Sequence, residues 1–137
     1  MSLNLEQTLA EVTLDDLLHQ VLTKKQDGHR LVCLTCLCSE GGHDVLYHFD
    51  KNYALTTLRL HVPEGREVPS ITGLYLGAVL LENEIKDFFG LSFHGMALDF
   101  QGRLFLTESA PKTPLNTRCG MDLDVRVPAA RKEEATP

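Results

Sequence analysis

The sequence predicts an α+β fold, a single small domain in which an antiparallel-rich sheet carries helices packed on one face. Two segments place apolar residues at helical spacing, three runs between them read as strands, and 137 residues suffice for one core. Hydrophobic residues at 43% and charged residues at 23%, with only 10 Gly and 6 Pro, exclude a disordered or fibrous chain.

The first helix is expected at residues 13–25, where Leu14, Leu17, Leu18, Val21 and Leu22 recur on one face. Thr13 stands where a cap would stand, Asp15 and Asp16 suit the first turn, Lys24 and Lys25 the last, and Gly28 a left-handed stop. The preceding Leu9 to Val12 reads equally as an edge strand or as a helical extension. After Gly28, the run Leu31-Val32-Cys33-Leu34-Thr35-Cys36-Leu37-Cys38 suits a strand buried on both faces. Gly41-Gly42 ends it, and strands at Asp44 to Phe49 and Ala54 to Val62 follow, joined by a turn at Asp50-Lys51-Asn52. Leu58, Leu60 and Val62 alternate with Arg59 and His61, so one sheet face is expected to be wet or to meet a partner.

Ser70 stands as an N-cap candidate before a second helical signal from Leu74 to Phe89. Leu74, Ala78, Leu81, Ile85 and Phe88 cluster on one side, with Asn83, Lys86 and Asp87 on the other. Leu76, Val79 and Leu80 lie away from that stripe, which predicts packing between layers or cover by another chain. Gly77 is a point where this helix can break. A last short strand is expected at Arg103-Leu104-Phe105-Leu106. The domain is expected to span residues 1–110, with 111–137 an extended C-terminal tail of low apolar content.

A balance of 13 Lys+Arg against 19 Asp+Glu gives a net charge of −6, the wrong sign for nonspecific binding to nucleic acid or anionic membrane. No apolar run approaches the roughly 20 residues of a spanning helix, so no direct membrane insertion is expected. The start, Met1-Ser2-Leu3-Asn4-Leu5-Glu6, lacks the basic and apolar regions of a secretory signal, which predicts a cytoplasmic protein. The thiols Cys33, Cys36 and Cys38, with Cys119, are the residues from which a small metal or redox protein would be built. Strand alternation opposes that reading, because it puts Cys36 and Cys38 on one face and Cys33 on the other. No Gly-x-Ser-x-Gly, Walker or dinucleotide motif follows a strand, so nucleophilic hydrolysis, nucleotide hydrolysis and NAD binding have no support. The densest acids are Glu82, Glu84 and Asp87. Glu84 and Asp87 are i, i+3 neighbours able to form a carboxylate pair, Glu84 borders the apolar stripe, and Glu82 is placed to meet Lys86.

The segment Glu82-Asn83-Glu84-Ile85-Lys86-Asp87-Phe88-Phe89-Gly90-Leu91-Ser92-Phe93-His94-Gly95 resembles the signature of the complex I 30-kDa subunit family, Glu-Arg-Glu-x-x-Asp-x-Phe-Gly-Ile-x-Phe-x-Gly-His. Asn83 stands in place of its Arg and Met96 in place of its His. With Leu98-Asp99-Phe100, these features are similar to the short branch of the family found in Ech-type energy-converting hydrogenases. The resemblance implies a cofactor-free, non-catalytic subunit in the peripheral arm of a membrane-bound oxidoreductase, an energy-converting NiFe hydrogenase or an NADH dehydrogenase-like complex. Its partners would be the hydrogenase-like large (49-kDa-type) subunit and neighbouring iron–sulfur subunits, at the cytoplasmic face of the cell membrane. Glu82, Glu84 and Asp87 would be interface or helix-fixing acids, and Phe89, Gly90, Phe93 and Gly95 would shape the turn that presents them. In isolation, an exposed partner surface makes a homodimer the expected by-product.

Overall fold

The computed structural model describes residues 7–116 of the chain. Its elements are β1 (Gln7–Val12), α1 (Leu17–Gln26), β2 (Arg30–Ser39), β3 (Gly42–Lys51), β4 (Ala54–Pro63), β5 (Val68–Pro69), α2 (Ala78–Phe89) and β6 (Phe93–His94). The predicted meander forms: β2, β3 and β4 pair antiparallel, and β1 joins β4 in parallel to give the order β1-β4-β3-β2. The ambiguous Leu9–Val12 stretch is therefore an edge strand. A parallel pair needs a long connection, and α1 begins it by carrying the chain from one sheet edge to the other. Lys51 pairs with Ala54, leaving Asn52 and Tyr53 as a two-residue turn with φ of 51° and 67°. That left-handed geometry matches the twist of the flanking strands.

One sheet face holds the core. Val45, Tyr47 and Phe49 of β3 and Leu58, Leu60 and Val62 of β4 form one cluster with Leu17 and Val21 of α1 and Ala78 and Ile85 of α2. The helices thus cover one face, and the alternate residues Arg59 and His61 are exposed on the other. β2 departs from the expectation of burial on both faces. It lies at the sheet edge with one face uncovered, where Arg30, Val32 and Leu37 are exposed, Leu37 at 53%. Its irregular register falls between Leu31 and Cys33, a bulge that blunts an open edge.

The helix boundaries shift inward from the periodic pattern. α1 starts at Leu17 because Thr13 closes a preceding turn, accepting from the Asp16 N–H through its carbonyl at 3.2 Å and its Oγ1 at 3.3 Å. Thr13 caps that turn and not the helix. Asp15 and Asp16 consequently lie before the helix, while Lys24 and Lys25 do occupy its last turn. Likewise, residues 71–77 form turns, Gly77 takes the N-cap position of α2, and Ser70 is no cap. The expected strand at 103–106 is irregular chain that folds over α2, with Phe105 stacked on Phe88 at 5.9 Å. Of the predicted tail, residues 111–116 return to α2, where the Leu115 N–H donates to the Phe88 carbonyl at 2.9 Å. The rest, with Cys119, lies outside the described residues.

Candidate functional site

The signature segment is α2, the left-handed residue after it and β6. At the helix start Gly77 supplies no side-chain cap. At its end Gly90 has φ 75° and donates its N–H to the Lys86 carbonyl at 3.0 Å. A Cβ at Gly90 would stand 2.8 Å from Thr113 Cγ2, so both conformation and space favour glycine there. β6 then pairs with β5 in parallel, which returns the chain to Ser70.

The acids of α2 are employed mainly inside the chain. Glu82 is fully buried, its Oε1 accepting from the Ile71 N–H at 2.7 Å and its Oε2 from Ser70 Oγ at 2.6 Å. Burial pushes its carboxyl above the usual carboxylate range, although both donors pull it down. Ser70 also contacts Thr72 Oγ1 at 2.8 Å, and Thr72 Oγ1 accepts from the Ala97 N–H at 2.9 Å. Glu82 thereby links the 70–72 loop to the chain after β6. The expected Glu82–Lys86 pair does not form, because Lys86 reaches Asp99 at 2.7 Å while Glu82 points inward.

Asn83 and Asp87, expected on the polar side, are buried as well, because the irregular chain after Gly95 packs over that side. Asn83 Nδ2 donates to the Val79 carbonyl at 2.7 Å and the Leu98 carbonyl at 2.9 Å, while its Oδ1 accepts from the Phe100 N–H at 2.9 Å. Asp87 Oδ2 accepts from the Phe105 N–H at 2.7 Å. Glu84 is exposed, so it does not border the buried stripe, and it shares no environment with Asp87 from which a carboxylate pair could work. Of the turn residues, Phe93 is in the core, Phe89 is half-buried edge-on to His43 at 6.2 Å, and Gly90 and Gly95 are exposed. Of the two roles considered for the acids, the fixing role describes what Glu82 and Asp87 do within this chain.

Sequence reasoning passed over a second cluster on the open sheet face. Asp44 of β3 is buried between Arg59 Nε at 3.0 Å, His61 Nδ1 at 2.8 Å and Ser39 Oγ at 3.0 Å. Burial raises its carboxyl, but the hydrogen bonds from His61, Arg59 and Ser39 outweigh it and hold Asp44 below the usual range. Four residues along β3 on the same sheet face, His48 bridges Thr35 Oγ1 at 3.0 Å and Thr57 Oγ1 at 2.8 Å, and burial lowers its pKa. The signal was present in the turn: with Asn52-Tyr53 as the loop, register sets Asp44 opposite His61.

Cys36 is buried, facing Val45 across the strand pair, and burial pushes its thiol up to about 12. At neutral pH it is a protonated core residue, unsuited to ligation as a thiolate. Cys33 pairs with His48 and therefore faces the other way, as alternation predicts. Among the described residues no group of at least three His, Cys, Asp or Glu is placed to hold a metal ion.

The polar groups of α2 thus bind the chain's own loops, beside a sheet with one uncovered face. The sequence profile described as respiratory-chain NADH dehydrogenase, 30 Kd subunit, matches residues 10–124, and the chain belongs to that family. Among solved structures it is similar to a chain in the membrane-bound sulfane sulfur reductase, an archaeal respiratory membrane complex, with 18% identity and a TM-score of 0.67. The match covers 84% of this chain and 71% of that one, and it supports the α+β fold. No curated protein matches the sequence. No helix among the described residues is long and apolar enough to cross a membrane.

Proposed function

We propose that the chain is a non-catalytic, electron-inert subunit in the peripheral arm of a membrane-bound oxidoreductase. It docks on a hydrogenase-like large subunit beside iron–sulfur subunits, at the cytoplasmic face of the membrane. The Asn83 and Met96 departures favour an Ech-like hydrogenase over an NADH dehydrogenase-like complex. The observation that carries this reading is the division of labour in α2. Glu82, Asn83 and Asp87 hold three separate loop segments, while Leu76 and Leu80 stand 73% and 56% exposed near the start of the same helix. Large apolar side chains exposed in this way suit cover by another subunit. Glu84, Gly90 and Gly95 are the signature residues left at the surface to meet it, with Phe89 partly accessible. Alone, the same uncovered surface favours self-association.

Deleting the gene in the native host tests this. The amount of large subunit sedimenting with membranes should fall and return on complementation with the wild-type chain. An unchanged amount of assembled large subunit would remove the docking role.

A further inference from the structure

Asn116, the last described residue, leaves the domain beside the C-terminal end of β2. Cys38 Sγ donates to the Leu115 carbonyl at 3.7 Å and to Asn116 Oδ1 at 3.8 Å, and Asn116 Oδ1 meets His43 Nε2 at 2.8 Å. β2 is the outer strand of the four, so the backbone groups along its outward side have no strand beside them among the described residues. Its one irregularity, between Leu31 and Cys33, lies at the far end, and Leu34 to Ser39 keep an unbroken register with β3. An edge of this kind is a template for one more strand.

The sequence beyond the exit suits that edge. Met121, Leu123, Val125 and Val127 alternate with Asp122, Asp124 and Arg126, the period of a strand with one apolar face, and Gly120 and Pro128 bound the run. Residues 117–120 can span up to about 13 Å, enough to cross the roughly 5 Å between neighbouring strands. Residues 121–127 then cover about 23 Å of the roughly 33 Å along β2. The direction of α2 sets the faces. Its end lies at His43 through Phe89 and its start beside Arg30, Leu31 and Val32, so α2 runs along β2 in the same direction. At that start the two elements enclose a groove of about 420 Å³ lined by Leu31, Val32, Leu76 and Leu80, with Val32 exposed. A segment laid along β2 from Ser39 towards Arg30 leads to this groove.

We propose that residues 121–127 add to the open edge of β2 as an antiparallel fifth strand. Met121, Leu123, Val125 and Val127 face α2, covering Val32 and flanking Leu80, while Asp122, Asp124 and Arg126 face the uncovered side of the sheet. The chain itself is the favoured occupant because a tether of four residues delivers the segment to that edge, at an effective concentration of about millimolar. The inference goes beyond the docking reading and does not depend on it, since Leu76 and the open sheet face stay available to a partner.

NMR of the isotope-labelled full chain tests the added strand. Hα–Hα contacts between residues 121–127 and Leu34 to Ser39 are expected, with the outward amides of β2 protected from hydrogen exchange. In an antiparallel ladder alternate residues donate to the neighbour, so one of Asp124→Pro and Val125→Pro removes a donor to β2. That variant should speed exchange of the outward β2 amides by about tenfold and leave the β4 amides unchanged. Ala129→Pro, past the run, should change neither. Absence of the Hα–Hα contacts, contacts that isotope-filtered spectra assign to a second copy, or unchanged β2 exchange in both proline variants would overturn the strand while leaving docking intact. A chain that shows the contacts yet purifies from its host without a large subunit would overturn docking alone.

Discussion

Glu82 illustrates why a helical acid cannot be assigned a partner from spacing alone. Its two oxygens serve Ile71 and Ser70, residues more than ten positions earlier in the chain. Glu82→Ala would leave a buried N–H and hydroxyl unpaired beside a cavity, and should cost about 2–4 kcal/mol in urea unfolding. Glu84→Ala, on the exposed side, should stay within about 0.5 kcal/mol of wild type. The pH dependence has opposite signs at the two buried acids. Glu82 has a raised folded pKa, so the folded state binds its proton more tightly and stability declines as pH rises through the unfolded and then the folded value. Asp44 has a lowered folded pKa, so its contribution is present above the unfolded value and is lost as pH falls through the folded one. Glu82→Gln should therefore gain on wild type as pH is raised from about 4 to 7. Asp44→Asn should lose ground on wild type lower on the scale, as pH is raised from about 2 to 4.5. Unfolding curves at successive pH values check both, and a constant offset for either variant contradicts its assignment.

At the scale of elements, the sequence made the meander and α1 legible because their signals are local: alternation, a periodic stripe, a turn residue able to take positive φ. What it could not show was the irregular chain after Gly95, which has no period. That chain covers the side of α2 that carries Asn83 and Asp87, so a pattern reading necessarily put both in solvent. Asn83 did carry a clue, since a mid-helix Asn is a poor helix former unless its amide has work elsewhere. Asn83→Asp should be strongly destabilising, by about 2–4 kcal/mol, because it sets a carboxylate oxygen against the Val79 and Leu98 carbonyls. Hydrogen exchange should then show the Phe100 and Phe105 amides losing protection ahead of the β3 amides. Gly90→Ala should cost about 1–2 kcal/mol from positive φ, and more where Thr113 cannot move away. A melting curve measures it, and an unchanged midpoint would place the helix stop elsewhere.

For the whole molecule, the family signature is an internal brace as much as a surface. Its buried acids hold the loops that surround α2, and the neighbouring exposed groups, Leu76, Leu80, Phe105 and the open sheet face, are what a larger assembly can use. Composition was silent about membership, while the segment around Glu82 was informative because its residues match the family signature. The proposed role confines the work of this chain to a membrane-bound redox complex. Its most direct test is native purification of the tagged chain from detergent-solubilised membranes of its own host, followed by mass spectrometry. Recovery with a hydrogenase-like large subunit and iron–sulfur subunits in near-equal amounts is expected. Recovery of the chain by itself, as monomer or homodimer, with the large subunit assembled elsewhere, would contradict it.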